Sequence, residues 1–245
     1  MHGGKTQDRT TTGVSSMATR LLLADVTREF ASLSGIDVSF TSIGGVDAVK
    51  RMQAGECFDV VVLARDAINT LEASGKLLAG SCEDWVHSSV AIATREGATR
   101  VAIDSEAALR QAVLEHKVGY STGPSGTALL GLFERWGIME EMRERLVQAP
   151  AGVSVANLVA DGRVDLGFQQ LSELTNVAGV QVLGLMPQGC EIISTFSTAI
   201  GATSAHLSEV REFLTFMHSA DAAEIVKRHG MSPVQHNNKA LEERA

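Results

Sequence analysis

Apolar segments of two kinds alternate along the chain, and their spacing predicts an α/β protein. The run 58–63 is almost continuously apolar, which is typical of a strand buried on both faces of a sheet. The segment 105–115 instead repeats its apolar residues at helical spacing behind a serine, which predicts an N-capped helix. Because such patterns alternate from end to end, we predict a mostly parallel sheet covered by helices.

The remaining elements follow from the same two patterns. Strands are predicted at 36–40, 90–93, 164–168, 180–185 and 192–200, and helices at 66–77, 208–217 and 221–229, with further helices after residues 17, 45 and 126. The chain has no internal repeat, low-complexity tract or Pro/Ser-rich linker. Any division into lobes must therefore be made by strands that cross from one lobe to the other.

Turns rich in serine, threonine and glycine precede three of the predicted helices, at residues 13–17, 41–45 and 121–126. The first N–H groups of a helix have no partner within the helix, and the helix dipole favours negative charge there. Glycine lets a ligand approach these groups closely. One such turn taken alone is better explained by ordinary helix capping, but three converging turns would form an anion site.

Composition narrows the classes of function. The chain has 245 residues, a formal net charge of −8 and 44% hydrophobic residues, which suits a soluble globular protein without a nucleic-acid partner. An anion would have to be bound by helix dipoles and a few cations. Aromatic residues make up 4%, so stacking on sugars or bases is not expected to dominate recognition.

The cysteines and the first residues of the chain give expectations about metal binding, disulfides and cellular location. Cys57, Cys82 and Cys190 are far apart and lack metal-ligand spacing, so we expect neither a metal site nor a disulfide framework. The first residues lack the apolar core of a signal peptide. We therefore expect a cytoplasmic protein as numbered, or a periplasmic one if a native leader has been removed.

Four segments together resemble a known fold. They are 53–77, the STGPSG loop at 121–126, 155–174 and 222–231. Their order is similar to the type II periplasmic-binding-protein fold, in its molybdate-binding-protein-like branch. The resemblance implies two lobes with a ligand cleft between them, joined by crossing strands near 88–94 and 191–197. Lobe I would comprise residues 1–90 plus 191–245, and lobe II residues 91–190.

The resemblance also implies which residues bind the ligand. Ser16 matches a ligand serine, Ala64 and Ser125 match backbone donors, and Gln170 stands where molybdate binders have a tyrosine. At Gly44 and its neighbour, glycines replace hydroxyl groups. The complete predicted binding set is Ser15, Ser16, Gly44, Gly45, Ala64, Arg65, Ser121, Thr122, Gly123, Ser125, Gly126, Val153, Gln169 and Gln170.

The altered positions favour a larger, flatter anion than molybdate, such as a di- or tricarboxylate, because a tight cage loses affinity with each lost donor. Within this branch the chain resembles the aconitate isomerases, which interconvert trans- and cis-aconitate by an allylic proton shift without a cofactor. The alternative is the substrate-binding component of an ABC transporter for molybdate or a similar anion, with a permease as its partner. A monomer is expected in either case.

An isomerase would need carboxylate clamps and a proton-transferring group. Arg65 is predicted to lie on a cleft-facing loop as a clamp, although a surface arginine fits equally well. His87, just before the first crossing strand, is the preferred acid/base, and Tyr120 is a second candidate; a hinge histidine and a packed tyrosine are the alternatives. Glu173 is a further possible base, but a place on the next helix is favoured for it.

Overall fold

The computed structural model of the protein describes residues 11–150 and 152–234. Its strands are β1 (Thr11–Ser16), β2 (Val38–Ile43), β3 (Val60–Ala64), β4 (Glu83–Arg95), β5 (Val118–Tyr120), β6 (Leu146–Gln148), β7 (Leu166–Gln170), β8 (Val180–Leu185), β9 (Ile193–Ile200) and β10 (Met231–Pro233). Its helices are α1 (Arg20–Ser34), α2 (Gly45–Gln53), α3 (Arg65–Ala73), α4 (Glu106–Glu115), α5 (Pro124–Arg135), α6 (Met139–Met142), α7 (Val155–Ala160), α8 (Leu171–Leu174), α9 (Leu207–Met217) and α10 (Ala220–Arg228). A 3₁₀ turn, Met17–Thr19, separates β1 from α1.

The first lobe is built on a sheet in which β1 lies between β2 and β3, all three parallel. The β3 strand then pairs with β9, and β9 with the first half of β4, both antiparallel. The β10 strand pairs with β4 along its other edge. Helices α1, α9 and α10 cover one face of this sheet, and α2 and α3 cover the other.

The second lobe uses the other half of β4. From Val90 onward β4 pairs with β7 on one edge and with β8 on the other, both antiparallel. The β5 strand lies parallel between β7 and β6. The 13-residue β4 strand therefore belongs to both sheets. This arrangement confirms the two-lobed α/β fold, while the predicted boundaries at 90 and 190 stay a prediction.

Each lobe has its own apolar core. The largest buried side chains of the first include Trp85 and Phe213, and the Trp85 indole N–H donates to the carbonyl of Met217 at 2.8 Å. The second core contains Phe133 and Phe168 at its centre. Within the described part of the chain, no helix has both the length and the apolar character needed to cross a bilayer.

Several expectations from the sequence need correction. The sheet is mixed rather than mostly parallel, because the pairings of β4 and β9 are antiparallel. Residues 13–16 continue strand β1 instead of forming a turn, since the alternation of Gly13, Val14 and Ser15 suits a strand as well as a loop. The β7 strand ends two residues later than predicted, so Gln170 is its last residue and does not follow it.

Candidate functional site

The carboxyl ends of three parallel strands meet at one edge of the first lobe. The register pairs Ser16 of β1 with Ile43 of β2, and Ser15 with Val62 of β3. The 3₁₀ turn and helices α2 and α3 begin directly after these strand ends. The first turns of the three elements therefore lie side by side, at the position where open α/β sheets bind ligands.

The second lobe presents its own strand ends toward the first. Strands β5, β6 and β7 are parallel to each other and end at Tyr120, Gln148 and Gln170. Because β7 runs antiparallel to β4, these ends point back along β4 toward the first lobe. The two lobes touch here, since the Ser172 hydroxyl of α8 donates to the carbonyl of Ala18 at 2.9 Å. We call the space between the two sets of strand ends the cleft.

Three helices that begin at the cleft lack side-chain caps within the described residues. The residues before α2, α3 and α5 are Gly44, Ala64 and Gly123, none of which has a side chain that accepts a capping hydrogen bond. The first N–H groups of these helices are therefore available to an anion. Away from the cleft, Ser105 and Ser219 cap α4 and α10 with their hydroxyls.

The loop before α5 leaves one backbone N–H group, that of Ser125, without a partner among the described residues. The N–H groups of Gly126 and Thr127 donate to the Gly123 carbonyl, and the Gly123 N–H donates to the Ser121 hydroxyl at 3.3 Å. Among the described residues the Ser125 N–H has no acceptor. Gly126 is needed here because a Cβ would lie 1.9 Å from the Ser121 carbonyl oxygen.

Hydroxyl groups of this loop support it internally. The Ser121 and Ser125 hydroxyls lie 3.0 Å apart and share a hydrogen bond. Thr122 is exposed at the tip of the loop.

Tyr120, just before this loop, is half-buried and packs against the second core. This position matches the alternative of a packed tyrosine rather than a proton-donating one.

The serines at the end of β1 divide into two roles. Ser15 is fully buried, and its hydroxyl lies 2.8 Å from that of Ser42. Ser16, the last residue of β1, is half-buried, and its hydroxyl accepts from the Ala18 N–H at 3.4 Å at the start of the 3₁₀ turn. Ser42 is a cleft-edge hydroxyl that the sequence analysis missed, although Gly44 and Gly45 lie beside it as predicted and are both half-buried.

Gln170 joins the cleft to the strands that connect the lobes. Its side chain is 3% exposed. In the amide orientation that satisfies all partners, its nitrogen donates to the Ser88 carbonyl at 3.0 Å and its oxygen accepts from the Ser194 hydroxyl at 2.8 Å. The amide is thus already bonded to both β4 and β9, and ligand contact by Gln170 stays a prediction.

Gln169 faces the other side of β7 and holds the start of α7. Its carbonyl oxygen accepts from the Ser154 hydroxyl at 2.9 Å and from the Val155 N–H at 2.8 Å. The predicted donor nearby, the Val153 N–H, donates to the Pro150 carbonyl at 3.0 Å. This geometry gives Gln169 a supporting role and leaves Val153 with its N–H already used.

The side-chain amide nitrogen of Gln169 donates a hydrogen bond to Glu173 Oε1 at 2.7 Å. Burial raises the pKa of Glu173 to about 7, and this hydrogen bond only partly offsets the effect. In the residues that the structure describes, no cation pairs with Glu173. Its predicted place on the helix after Gln170 is confirmed. Its burial could not be predicted, because a helical spacing shows which residues share a face but not which lobe covers them.

Arg65 and His87 belong to other elements than predicted, although Arg65 still lies where α3 begins at the cleft. Arg65 is the first residue of α3 rather than a loop residue, and its Nε donates to Asp84 Oδ1 at 2.7 Å. Burial alone would raise the pKa of Asp84, but hydrogen bonds from Ser197 and Arg65 outweigh it and lower this pKa. His87 lies within β4, not before it, and its Nδ1 is 3.1 Å from the Thr195 hydroxyl.

Within residues 11–150 and 152–234, no group of three or more His, Cys, Asp or Glu side chains could hold a metal ion. What the cleft offers instead is a set of neutral N–H and hydroxyl donors and one carboxyl that titrates near neutrality. Such a set can bind an anion and transfer a proton.

Comparison with known proteins agrees with this geometry. A family model described as bacterial extracellular solute-binding protein matches residues 12–232. The chain belongs to this solute-binding family. It is 34% identical to an aconitate isomerase of Pseudomonas sp. over 186 residues, which is 75% of this chain and 71% of the relative.

Solved structures support the same fold for this solute-binding family member. The periplasmic molybdate-binding protein of Azotobacter vinelandii is similar with a TM-score of 0.77 at 19% identity, covering 92% of this chain and all of that one. The sulfate-binding protein of Mycobacterium tuberculosis has a TM-score of 0.77 at 17% identity, covering 96% and 89%. At these identities the likeness concerns the fold alone.

Proposed function

We propose that this protein is an isomerase that binds a small di- or tricarboxylate in the cleft and interconverts trans- and cis-aconitate. The similarity to the Pseudomonas aconitate isomerase over three quarters of the chain carries the proposal. The geometry supports it, because the cleft combines anion-binding helix starts with a carboxyl whose pKa lies near neutrality. Both features are needed to bind a carboxylate substrate and move its proton.

In this proposal the binding groups are the predicted residues at the end of β1 and at the starts of α2, α3 and α5, with Ser42 added. Carboxylate oxygens would accept from the Ser125 N–H and from the open first turns of α2 and α3. Ser16, the half-buried last residue of β1, lies beside these helix starts. Lobe I at 1–90 plus 191–245 and lobe II at 91–190 would close around the substrate as rigid bodies.

The reaction is an allylic proton shift. A base takes a proton from the methylene carbon, the electron pair of that C–H bond forms a new double bond, and the old double bond takes a proton at the former vinyl carbon. Neither oxidant nor cofactor is required. Uncharged donors around the carboxylate next to the reacting carbon would stabilise the charge that builds up there.

A second candidate function is that of a binding protein which delivers an oxyanion or carboxylate to an ABC permease. The solute-binding family favours it, since the family's description refers to extracellular binding proteins. The same description supports a periplasmic location for this protein, over the cytoplasmic one expected from its first residues. A monomer would suit either function.

Proton NMR of trans-aconitate in D₂O with the purified protein separates the two candidates. We expect resonances of cis-aconitate to grow and deuterium to enter the methylene group. If the spectrum stays constant over hours while titration calorimetry detects tight binding of aconitate, molybdate or tungstate, the protein is a binding component and the isomerase proposal is wrong.

A further inference from the structure

Helix α8 is a single turn that lies between the two lobes, and hydrogen bonds of residues in it and next to it determine its position. Gln170, the residue before it, bonds to β9 at Ser194. Ser172 bonds across the cleft to the Ala18 carbonyl. Glu173 lies between these attachments and Leu174, which is buried in the second lobe. Its carboxyl group is therefore placed where the two lobes meet.

The orientation of Glu173 is determined by a short chain of hydrogen bonds. The start of α7 fixes the Gln169 carbonyl oxygen through Ser154 and Val155, so the Gln169 amide nitrogen can point in one direction only. That nitrogen donates to Glu173 Oε1. Among the described residues Oε2 has no hydrogen-bond donor. Glu173 as a whole residue is half-buried.

Glu173 also differs from the other titratable groups near it. Strands β7 and β8, helix α7 and the 3₁₀ turn, which all pack against α8, contain no charged residue. The titratable groups of β4 are Glu83, Asp84, His87 and Arg95, and none of them adds a charge interaction to the pKa of Glu173. At the nearby turn around Gly230, His229 is paired with Asp25. Burial is therefore what keeps this carboxyl weakly acidic.

We propose that Glu173 is the base that removes the substrate's methylene proton and delivers a proton to the former vinyl carbon, with Gln169 as its positioning residue. The proposal rests on the isomerase function. The carboxylate gains the proton as the C–H bond breaks, and the resulting carboxylic acid exchanges this proton with solvent. It then donates a proton as the new C–H bond forms at the other end of the allylic unit. One carboxyl can perform both steps because it stays on one face of the substrate. A group that titrates near the working pH is suited to both giving and taking a proton.

Glu173→Gln tests the proposal because it keeps the size and hydrogen-bonding capacity of the side chain while removing the base. We expect turnover measured by NMR to fall by roughly 100-fold or more, as for other general bases, and deuterium incorporation to fall in proportion. Affinity for trans-aconitate should stay close to that of the unchanged protein. Glu173→Asp should recover part of the turnover. Glu134→Gln, an exposed change on α5, is the matched control and should change neither quantity.

The pH profile gives a readout that a structural role would not change. Turnover of the unchanged protein should rise with pH through about 7, where Glu173 ionises. Gln169→Leu removes the hydrogen bond that lowers the pKa of Glu173, so this rise should move to higher pH. If Glu173→Gln stays within twofold of normal turnover, or loses binding and turnover equally, Glu173 is not the base. If the unchanged protein does not isomerise aconitate at all, the proposed function fails and the assignment of Glu173 falls with it.

Discussion

Three helices that begin at the cleft and two helices behind it differ in whether a side chain pairs their first N–H groups. At the cleft, α2, α3 and α5 begin without side-chain caps among the described residues. Away from it, α4 and α10 are capped by serine hydroxyls. A capped helix gains stability from its cap, so an uncapped start gives up stability and keeps its N–H groups for a ligand.

Carboxyl groups show the same difference. Asp59, behind the cleft, accepts from the N–H and hydroxyl of Thr12 and from the Ser204 hydroxyl; burial works to raise its pKa, but these bonds lower it overall. Glu173, at the cleft, has one hydrogen-bond donor among the described residues and a pKa of about 7. The fold therefore gives the Asp59 carboxylate three hydrogen-bond donors and leaves the Glu173 carboxyl with one.

The most damaging change to the open helix starts should be Gly126→Val. Its side chain would collide with the Ser121 carbonyl oxygen and force apart the turn that precedes α5. We expect a loss of about 3 kcal/mol of unfolding free energy and loss of ligand binding, measured by urea denaturation and calorimetry. Gly131→Ala in the same helix is the control, because open space surrounds it and a helical alanine is stabilising. Equal stability of the two variants would contradict the close approach at Gly126.

Glu173→Gln should raise the stability of the ligand-free protein at high pH. Because the folded pKa of Glu173 lies above its ordinary value of 4.5, the folded state binds the extra proton and this group's contribution falls as pH rises from 4.5 through about 7. Above pH 7 the variant should be more stable by up to about 3 kcal/mol, and near pH 4 the two proteins should match. Urea denaturation at several pH values measures this. A constant difference across that range would show that Glu173 is not desolvated in solution.

Gly123→Asp would give α5 the cap that it lacks. The aspartate can accept from the Ser125 N–H at the second helical position, and its charge would repel an anion. We expect affinity for trans-aconitate to fall at least about tenfold, since one good donor is worth about 1–3 kcal/mol, while stability stays level or rises slightly. Ser105→Asp on α4 keeps a cap away from the cleft and should leave affinity unchanged. If both variants bind equally well, the start of α5 is not part of the site.

Sequence reasoning predicted the fold better than it predicted the roles of single residues. Strand β8 and helices α4, α9 and α10 lie within about a residue of their predicted bounds, because their apolar spacing and caps are local signals. Of the three predicted small-residue turns, only the one before α5 is a loop, because residues 13–16 and 41–43 belong to β1 and β2. The pairing of Arg65 with Asp84 and of His87 with Thr195 depends on how distant strands meet, which no local pattern contains. Glu173 was underrated on the same ground, since its burial comes from packing between lobes.

The smallest expected effect is that of removing a side-chain cap from one of the helices behind the cleft. Ser219→Ala removes the hydroxyl that accepts from the Ala222 N–H at the start of α10. We expect a loss of about 1 kcal/mol of unfolding free energy, because that N–H then has no partner within its helix, and no change in affinity for trans-aconitate. Thermal denaturation and calorimetry measure the two quantities, and Ser219→Thr, which keeps a hydroxyl, should recover the stability. A loss of ligand affinity in Ser219→Ala would mean that caps behind the cleft also set the shape of the binding site, and the division between paired and open helix starts would then have to be abandoned.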